Sequence, residues 1–403
     1  MSQSKENTEE KYLDDITAIA SIPNRGPATP GEGKAADYVY GRMHGLGLDP
    51  VDEPFHVIPH FPMSWTLHSL LCVIACVLAW WFPLPAAALA IFATISYVGD
   101  TTTRFYWLRR LLPGKISRRV IGSLQPKGTA QKTVVIASHI DAGQMGFSLN
   151  PAKAEPTSIF FKKHFDIQPP MVALIFWMMV IAAIGALLRG LTGDHILSTV
   201  LLGFAAVGNC IPIVIFIPHE FAKICPGAND NAAGVAVNLE LARRFKKDGL
   251  ENTRVIFAAV GSEETYMMGM SVFMDDWKDR LDPATTYFLI PESCGCGTPR
   301  VLVGEGVAYI RHFDPTLCGA LIMSARDLGY RDVETIILRT GGTDATPPAE
   351  RGYKASGIIA MNEYNYVPNY HWHGDVPENV EIPTVRKTTD IFEKTIRKID
   401  ETF

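Results

Sequence analysis

Four long stretches of this chain carry almost no charge, and they limit its architecture more than any other feature. Trp65 to Phe82 is eighteen residues without a formal charge, and a second run continues after Pro83 from Leu84 to Val98. Met171 to Leu188 is again eighteen apolar or small residues, and Ile196 to Ile217 adds twenty-two. A helix needs about 20 such residues to cross ~30 Å of hydrocarbon. Buried helical hairpins in a soluble core are the competing reading of such lengths. Aromatic residues at the ends (Trp65, Trp80, Trp81, Tyr97, Tyr106, Trp107) suit interfacial anchoring better. The runs pair off around Pro83 and around Arg189 to His195, which predicts two transmembrane hairpins, over 64–99 and 170–218. The chain is then expected to meet a lipid bilayer through four spanning helices.

An even number of crossings returns the chain to one side each time, so all soluble parts share a compartment. Arg104, Arg109, Arg110, Lys115, Arg118, Arg119, Lys162, Lys163 and Lys223 flank that side, against only Arg189 at the opposite turns. Positive charge beside a spanning helix stays cytoplasmic. The sequence thus predicts an integral membrane protein with its soluble part in the cytoplasm, and with a basic collar that can hold anionic headgroups. A net charge of −5 excludes nucleic-acid binding driven by bulk charge. Seven cysteines, several inside apolar runs, do not form an extracellular disulfide framework. Met1 to Asp15 is polar and acidic, with no sign of a cleavable signal peptide.

The mean hydropathy of +0.10 over 403 residues is explained once the hairpins are set aside. Roughly 300 residues remain, within the size of one large domain. There the chain alternates between helices and strands. Ala36, Val39, Met43 and Leu46 recur at helical spacing. Thr133 to Ala137, Arg254 to Val260 and Thr286 to Ile290 are buried, strand-like runs, and helices are expected over 231–245, 315–328 and 383–402. This pattern predicts an α/β fold with a mostly parallel central sheet flanked by helices. The whole of 1–403 is expected to be a single catalytic domain, interrupted by the two hairpins. In such folds, ligands bind beyond the carboxyl ends of the strands.

Candidate ligand groups fall at those ends. The first strand runs into Ser138-His139-Ile140-Asp141, where His139 can ligate a metal and Asp141 can accept its other ring N–H. Pro226 to Gly234 places Asp230 just before a helix, where an acidic residue can also serve simply as an N-cap. Val260-Gly261-Ser262-Glu263-Glu264 ends a strand on two carboxylates. A metal hydrolase uses such a pair as one ligand and one free base. Glu292 follows another buried strand, and Asn369 to Asn379 contains His371 and His373, either or both of which can be ligands.

Taken together these runs closely resemble the family of co-catalytic zinc aminopeptidases that also includes glutamate carboxypeptidase II and the transferrin receptor. The family order is H-x-D, G-A-x-D-N-x-x-G, E-E, an acidic residue after a strand, then Y-H-x-x-x-D-x-x-E-N, and all five occur here in that order. The resemblance extends to the helix after Thr29, to Gly342-Thr343-Asp344 and to the last helix. It implies the zinc-exopeptidase fold and a site for two zinc ions. Asp230 would bridge them, His139 and Glu292 would complete one, and Glu264 and His371 the other. His371 is preferred to His373 because the family histidine stands four residues before the aspartate, here Asp375. Glu263 would be the general base, with Asp141 beside His139 also in the catalytic set.

The function so implied is a membrane-anchored metallo-exopeptidase acting on peptides, with an aminopeptidase as the leading reading. A single-zinc acyltransferase like glutaminyl cyclase and a non-catalytic receptor or scaffold on the same fold are the alternatives. The chain departs from the family in separating His139 from Asp230 by 91 residues, with the second hairpin between them. It also departs in carrying Glu292 where many relatives have aspartate. Cys294 and Cys296 are read as small residues of a tight turn rather than as redox groups.

Overall fold

The computed structural model describes residues 2–402, with side chains over 9–401. The chain opens with α1 (Ser2–Ala20), α2 (Pro30–Gly45) and β1 (Val51–Val57). The first apolar pair follows as α3 (Phe61–Leu78) and α4 (Pro83–Thr101), leading into β2 (Lys115–Leu124) and β3 (Lys132–His139). Next come α5 (Pro151–Phe165) and the second pair, α6 (Met171–Thr192) and α7 (Ile196–Glu220). After them run α8 (Ala233–Asp248), β4 (Thr253–Val260), α9 (Met268–Trp277), β5 (Thr286–Glu292), β6 (Thr298–Glu305) and β7 (Arg311–His312). The chain closes through α10 (Pro315–Asp327), β8 (Glu334–Leu338), α11 (Thr346–Glu350), β9 (Lys354–Met361) and α12 (Ile382–Thr402).

The strands form one sheet in the order β1-β2-β4-β3-β5-β9-β6-β7, with β8 also on β6. The sheet is mixed, which corrects the expectation of a mostly parallel one. Its centre, β4-β3-β5-β9, is uniformly parallel, and β8 is parallel to β6. β2 runs antiparallel to both β1 and β4, and β6 antiparallel to β9 and β7. The parallel strands are continuous apolar runs because both of their faces are covered. The flanking strands were not readable in that way: β2 carries Arg118 and Arg119, and β1 carries Pro54.

Val134, Val135, Ile136, Phe257, Phe288 and Leu289 fill the main core on and around these central strands. Helix α2 starts at Thr29, whose hydroxyl accepts the Glu32 N–H at 3.3 Å, with Pro30 in the first turn. The expected helix over 231–245 begins two residues later. Residues 228–232 form a separate turn, and Asn231, not Asp230, accepts from Gly234 N–H to cap α8.

The four apolar helices pack on one another around their own core, separate from that of the sheet. Its centre is built from small residues such as Ala75, Ala86, Ala90, Ala93, Ala182 and Ala186, which let the backbones approach closely. The outward faces stay apolar and exposed, with Trp81 70%, Leu191 72% and Val214 69% accessible. All four helices are long and apolar enough to cross a membrane by length and composition.

Both pairs hang from one edge of the sheet. β1 and β3 run in the same direction, because each is related to β4 through an even number of reversals. α3 therefore leaves from the edge at which β3 ends, and α4 returns to it at the start of the reversed β2. Helices α5 to α7 lie between the end of β3 and the start of α8. Much of the basic collar is spent inside the protein. Arg109 is buried against Asp100, while Arg118 pairs with Asp37 and Asp52, Arg119 with Glu53 and Asp276, and Arg104 with Glu350. Arg110, Lys115 and Lys223 are exposed.

The close approach of helices around Ala182 gives a direct check. Ala182→Leu is expected to cost about 1–3 kcal/mol by overpacking and to lower the melting temperature in detergent. Val214→Leu on the exposed face should leave it unchanged.

Candidate metal centre

His139, Asp230, Glu263, Glu264, Glu292 and His371 converge from five separate turns. Three of those turns follow directly on the parallel strands β3, β4 and β5. Asp230 comes from the turn before α8, and His371 from the loop after β9. Asp230 faces both histidines: its Oδ1 is 3.2 Å from His139 Nε2 and its Oδ2 is 3.2 Å from His371 Nε2. Glu292 Oε1 lies 3.4 Å from His139 Nε2, and Glu264 Oε2 lies 3.0 Å from His371 Nε2. Two triads result, His139–Asp230–Glu292 and Asp230–Glu264–His371, each with its donor atoms within 4.8 Å of one another. A third such group is His139–Glu263–Glu264. His373 is exposed and belongs to none of them.

The donor set fits bound cations. Asp230 Oδ1, Glu264 Oε1, Glu292 Oε2 and both ring nitrogens of His371 are buried without a hydrogen bond. Buried polar atoms without partners are costly. Of these atoms, Asp230 Oδ1 and His371 Nε2 belong to the close contacts above, and nitrogen and oxygen donors of this kind suit zinc.

Electrostatics give the same reading. Burial opposes the charged form of His371, but Glu264 and Asp230 outweigh it and hold the ring up to about 10. His139 is raised likewise, by Glu292 first among its charged neighbours. Burial alone would raise Asp230, yet the two imidazoles hold its carboxyl well below the usual range. Burial pushes Glu292 up to about 8 and Glu263 well above its ordinary value. Without a cation the crowded negative charge is relieved by protons, on the two histidines and on the buried Glu263 and Glu292.

Two buried carboxylates fix the ligand-bearing turns through backbone amides. Asp141 accepts from Glu263 N–H at 3.1 Å and from Glu264 N–H at 2.9 Å. Its carboxylate stands 3.5 Å from His139 Nδ1, and the ring nitrogen is nearer the Asp141 carbonyl, at 3.2 Å. The expected hold on the imidazole is thus secondary to the hold on the Glu263–Glu264 turn. Asp375 does the same for Asp230, accepting from Asn229 N–H at 2.6 Å and Asp230 N–H at 3.1 Å.

Several supporting residues escaped sequence reasoning. Arg25 is fully buried and donates to the carbonyls of Ile140, Asp141, Pro226 and Gly227, tying the exit of β3 to the Asp230 turn. Gly227 has φ 67°, and a Cβ there would lie 2.5 Å from Arg25 Nη2. Glu32 occupies the position of a capping-box glutamate, but it turns inward to accept from Ser117 and from Ser262, the residue before Glu263. Asp344 is buried with both oxygens unpartnered, and burial lifts it to about 7. Of these, Gly227, Glu32 and Asp344 stood in runs that carried the resemblance, and Arg25 stood in none. Cys294 and Cys296 are free and buried, and burial pushes the Cys296 thiol up to about 12. They remain protonated, as small turn residues would.

The fold and the donor set together define a zinc metallopeptidase. Residues 214–396 match the description Peptidase family M28. The matched region contains Asp230, Glu263, Glu264, Glu292 and His371, while His139 and Asp141 precede it. Among solved structures, the chain is similar to a zinc aminopeptidase from Bacillus subtilis at 14% identity and TM-score 0.57, covering 97% of this chain and 95% of that one. It is similar to an aminopeptidase from Aneurinibacillus sp. strain AM-1 at 13% and 0.57, covering 97% and 93%. A Bacteroides thetaiotaomicron glutaminyl cyclase bound to N-acetylhistamine gives 13% and 0.56, covering 96% and 97%.

The proton on His371 makes metal uptake depend on pH, because a cation must displace it. For the metal-free protein, zinc affinity is expected to rise between about pH 7 and pH 9 with release of protons. Calorimetry in buffers of different ionisation enthalpy measures this, and a flat profile would contradict the protonation described.

Proposed function

We propose that the protein is a membrane-anchored, two-zinc aminopeptidase that removes N-terminal residues from peptides. The observation that carries this reading is the sharing of Asp230, one oxygen toward each histidine. A single-zinc cyclase needs one triad and a scaffold needs none, whereas this chain assembles two around a common carboxylate. His139, Asp230 and Glu292 would hold one ion, and Asp230, Glu264 and His371 the other. When bound, the ions supply Lewis acidity toward the peptide carbonyl and the attacking water.

The chain's own groups do the remainder. The 3.0 Å approach of Glu264 to His371 commits that carboxylate to the second triad and leaves Glu263 for proton transfer. Glu263 would take a proton from water and return it to the leaving amine. Asp141 keeps the Glu263–Glu264 turn in place through the two amides. The surrounding burial limits competing solvent and strengthens each charge interaction.

Anchoring in a bilayer is supported by the exposed apolar faces of α3, α4, α6 and α7, which water would not tolerate over such an area. A cytoplasmic catalytic face is supported by the exposed Arg110, Lys115 and Lys223 on the side where the sheet lies.

Three measurements test the reading. Detergent-purified protein should trim a peptide library from the amino end and stop with chelator, whereas a ladder shortened from the carboxyl end would sink the aminopeptidase assignment. Glu263→Gln should keep its zinc while losing about 10²–10⁴-fold in hydrolysis. His371→Ala should lose metal by elemental analysis and His373→Ala should retain it. The reverse would exchange their roles.

A further inference from the structure

The turn that carries Glu263 and Glu264 is built against the first apolar hairpin, and its backbone is not self-supporting. Ser262, Tyr266 and Met267 all have positive φ, at 62°, 66° and 59°, an uncommon concentration for non-glycine residues. Such a conformation persists only where surrounding contacts impose it. Two of those contacts come from the hairpin and the segment just after it. Among the described residues, Tyr266 is the one hydrophobic side chain from outside the two apolar hairpins that packs into their core. Its ring meets Trp65 of α3 at 5.0 Å. The second contact is polar. Arg109, fully buried, donates to the carbonyl of Thr265, the residue after Glu264.

That guanidinium is itself held by α4. Arg109 Nε donates to Asp100 Oδ2 at 3.0 Å, and Nη2 donates to Asp100 Oδ1. Asp100 lies in the last turn of α4 and also accepts from Ser64 of α3 at 2.9 Å. The Tyr106 ring covers the guanidinium at 5.3 Å. Asp100 and Arg109 thus tie both helices of the hairpin to the Thr265 carbonyl. A buried pair of this kind contributes little net stability over apolar residues of similar size. What it contributes is a fixed position, because the planar fork presents its donors in one geometry.

We propose that Arg109, held by Asp100, is a positioning residue for the Glu263–Glu264 turn, so that turnover depends on how the first hairpin seats against the sheet. The inference rests on the metallopeptidase reading above.

The test uses full-length protein in detergent. Asp100→Asn/Arg109→Met removes both charges together and strands neither. It should keep its zinc and a KM within about twofold of wild type while kcat falls about 10- to 100-fold, as for a displaced catalytic group. Arg109→Lys keeps a cation opposite Asp100 but cannot serve both carboxylate oxygens and the Thr265 carbonyl, and should give a smaller fall in kcat. In both, amide exchange over residues 262–268 should quicken while β3 and β5 keep their protection. A wild-type kcat in either variant overturns the proposal, as does a loss of activity matched by loss of zinc. If the double variant does not fold, Arg109→Lys decides on the same criteria. Wild-type protein lacking peptidase activity would overturn the functional reading, and this proposal with it, before any variant is compared.

Discussion

Asp230 offers one oxygen to each of two buried imidazoles, and the rest of the centre answers to that arrangement. A carboxylate out of water, ringed by Glu263, Glu264 and Glu292, is tolerable only where positive charge sits between them. Without metal, protons on His139 and His371 provide part of it. With metal, the same residues would form a ligand set, to which the unpartnered oxygens of Glu264 and Glu292 are available. The site is costly as a piece of protein and economical as a cation receptor.

Placing five turns to within a few tenths of an ångström takes more than the ligands themselves. Asp141 and Asp375 each clamp two successive amides, one pair on the Glu263–Glu264 turn and one on the Asp230 turn. Arg25 joins four carbonyls from two loops. Glu32 reaches from α2 to Ser262. Gly143 leaves room for the His371 ring, which a Cβ would approach to 2.4 Å. Asp141, Asp375 and Arg25 act on backbone groups and Glu32 on two serine hydroxyls, and together they hold a set of loop ends in one geometry.

How much of this was legible follows from range. The three central strands Thr133–Ala137, Arg254–Val260 and Thr286–Ile290 announce themselves because burial on both faces makes them uninterrupted apolar runs. The six candidate ligand and base positions announce themselves because each stands at the end of a strand or in a recognisable run. The flanking antiparallel strands do not, since Arg118 and Arg119 in β2 read as a headgroup collar until their partners Asp52, Glu53 and Asp276 are seen in space. Arg25 carries no local signal and Glu32 only that of a capping box, since the partners they serve lie more than 80 residues away. Asp230 could equally have been a helix cap, and only the structure hands that task to Asn231.

The two apolar pairs are inserted at internal points of the fold, and the second falls between His139 and Asp230. Under the proposed membrane anchoring, no single cut in the chain would therefore release a soluble enzyme. Removing everything before α8 discards His139, and removing everything after β3 discards the other five. A water-soluble form calls for excision of both hairpins and their replacement by short connectors that rejoin β1 to β2 and β3 to the Asp230 turn. It would also have to supply new packing for Tyr266 and a new donor for the Thr265 carbonyl.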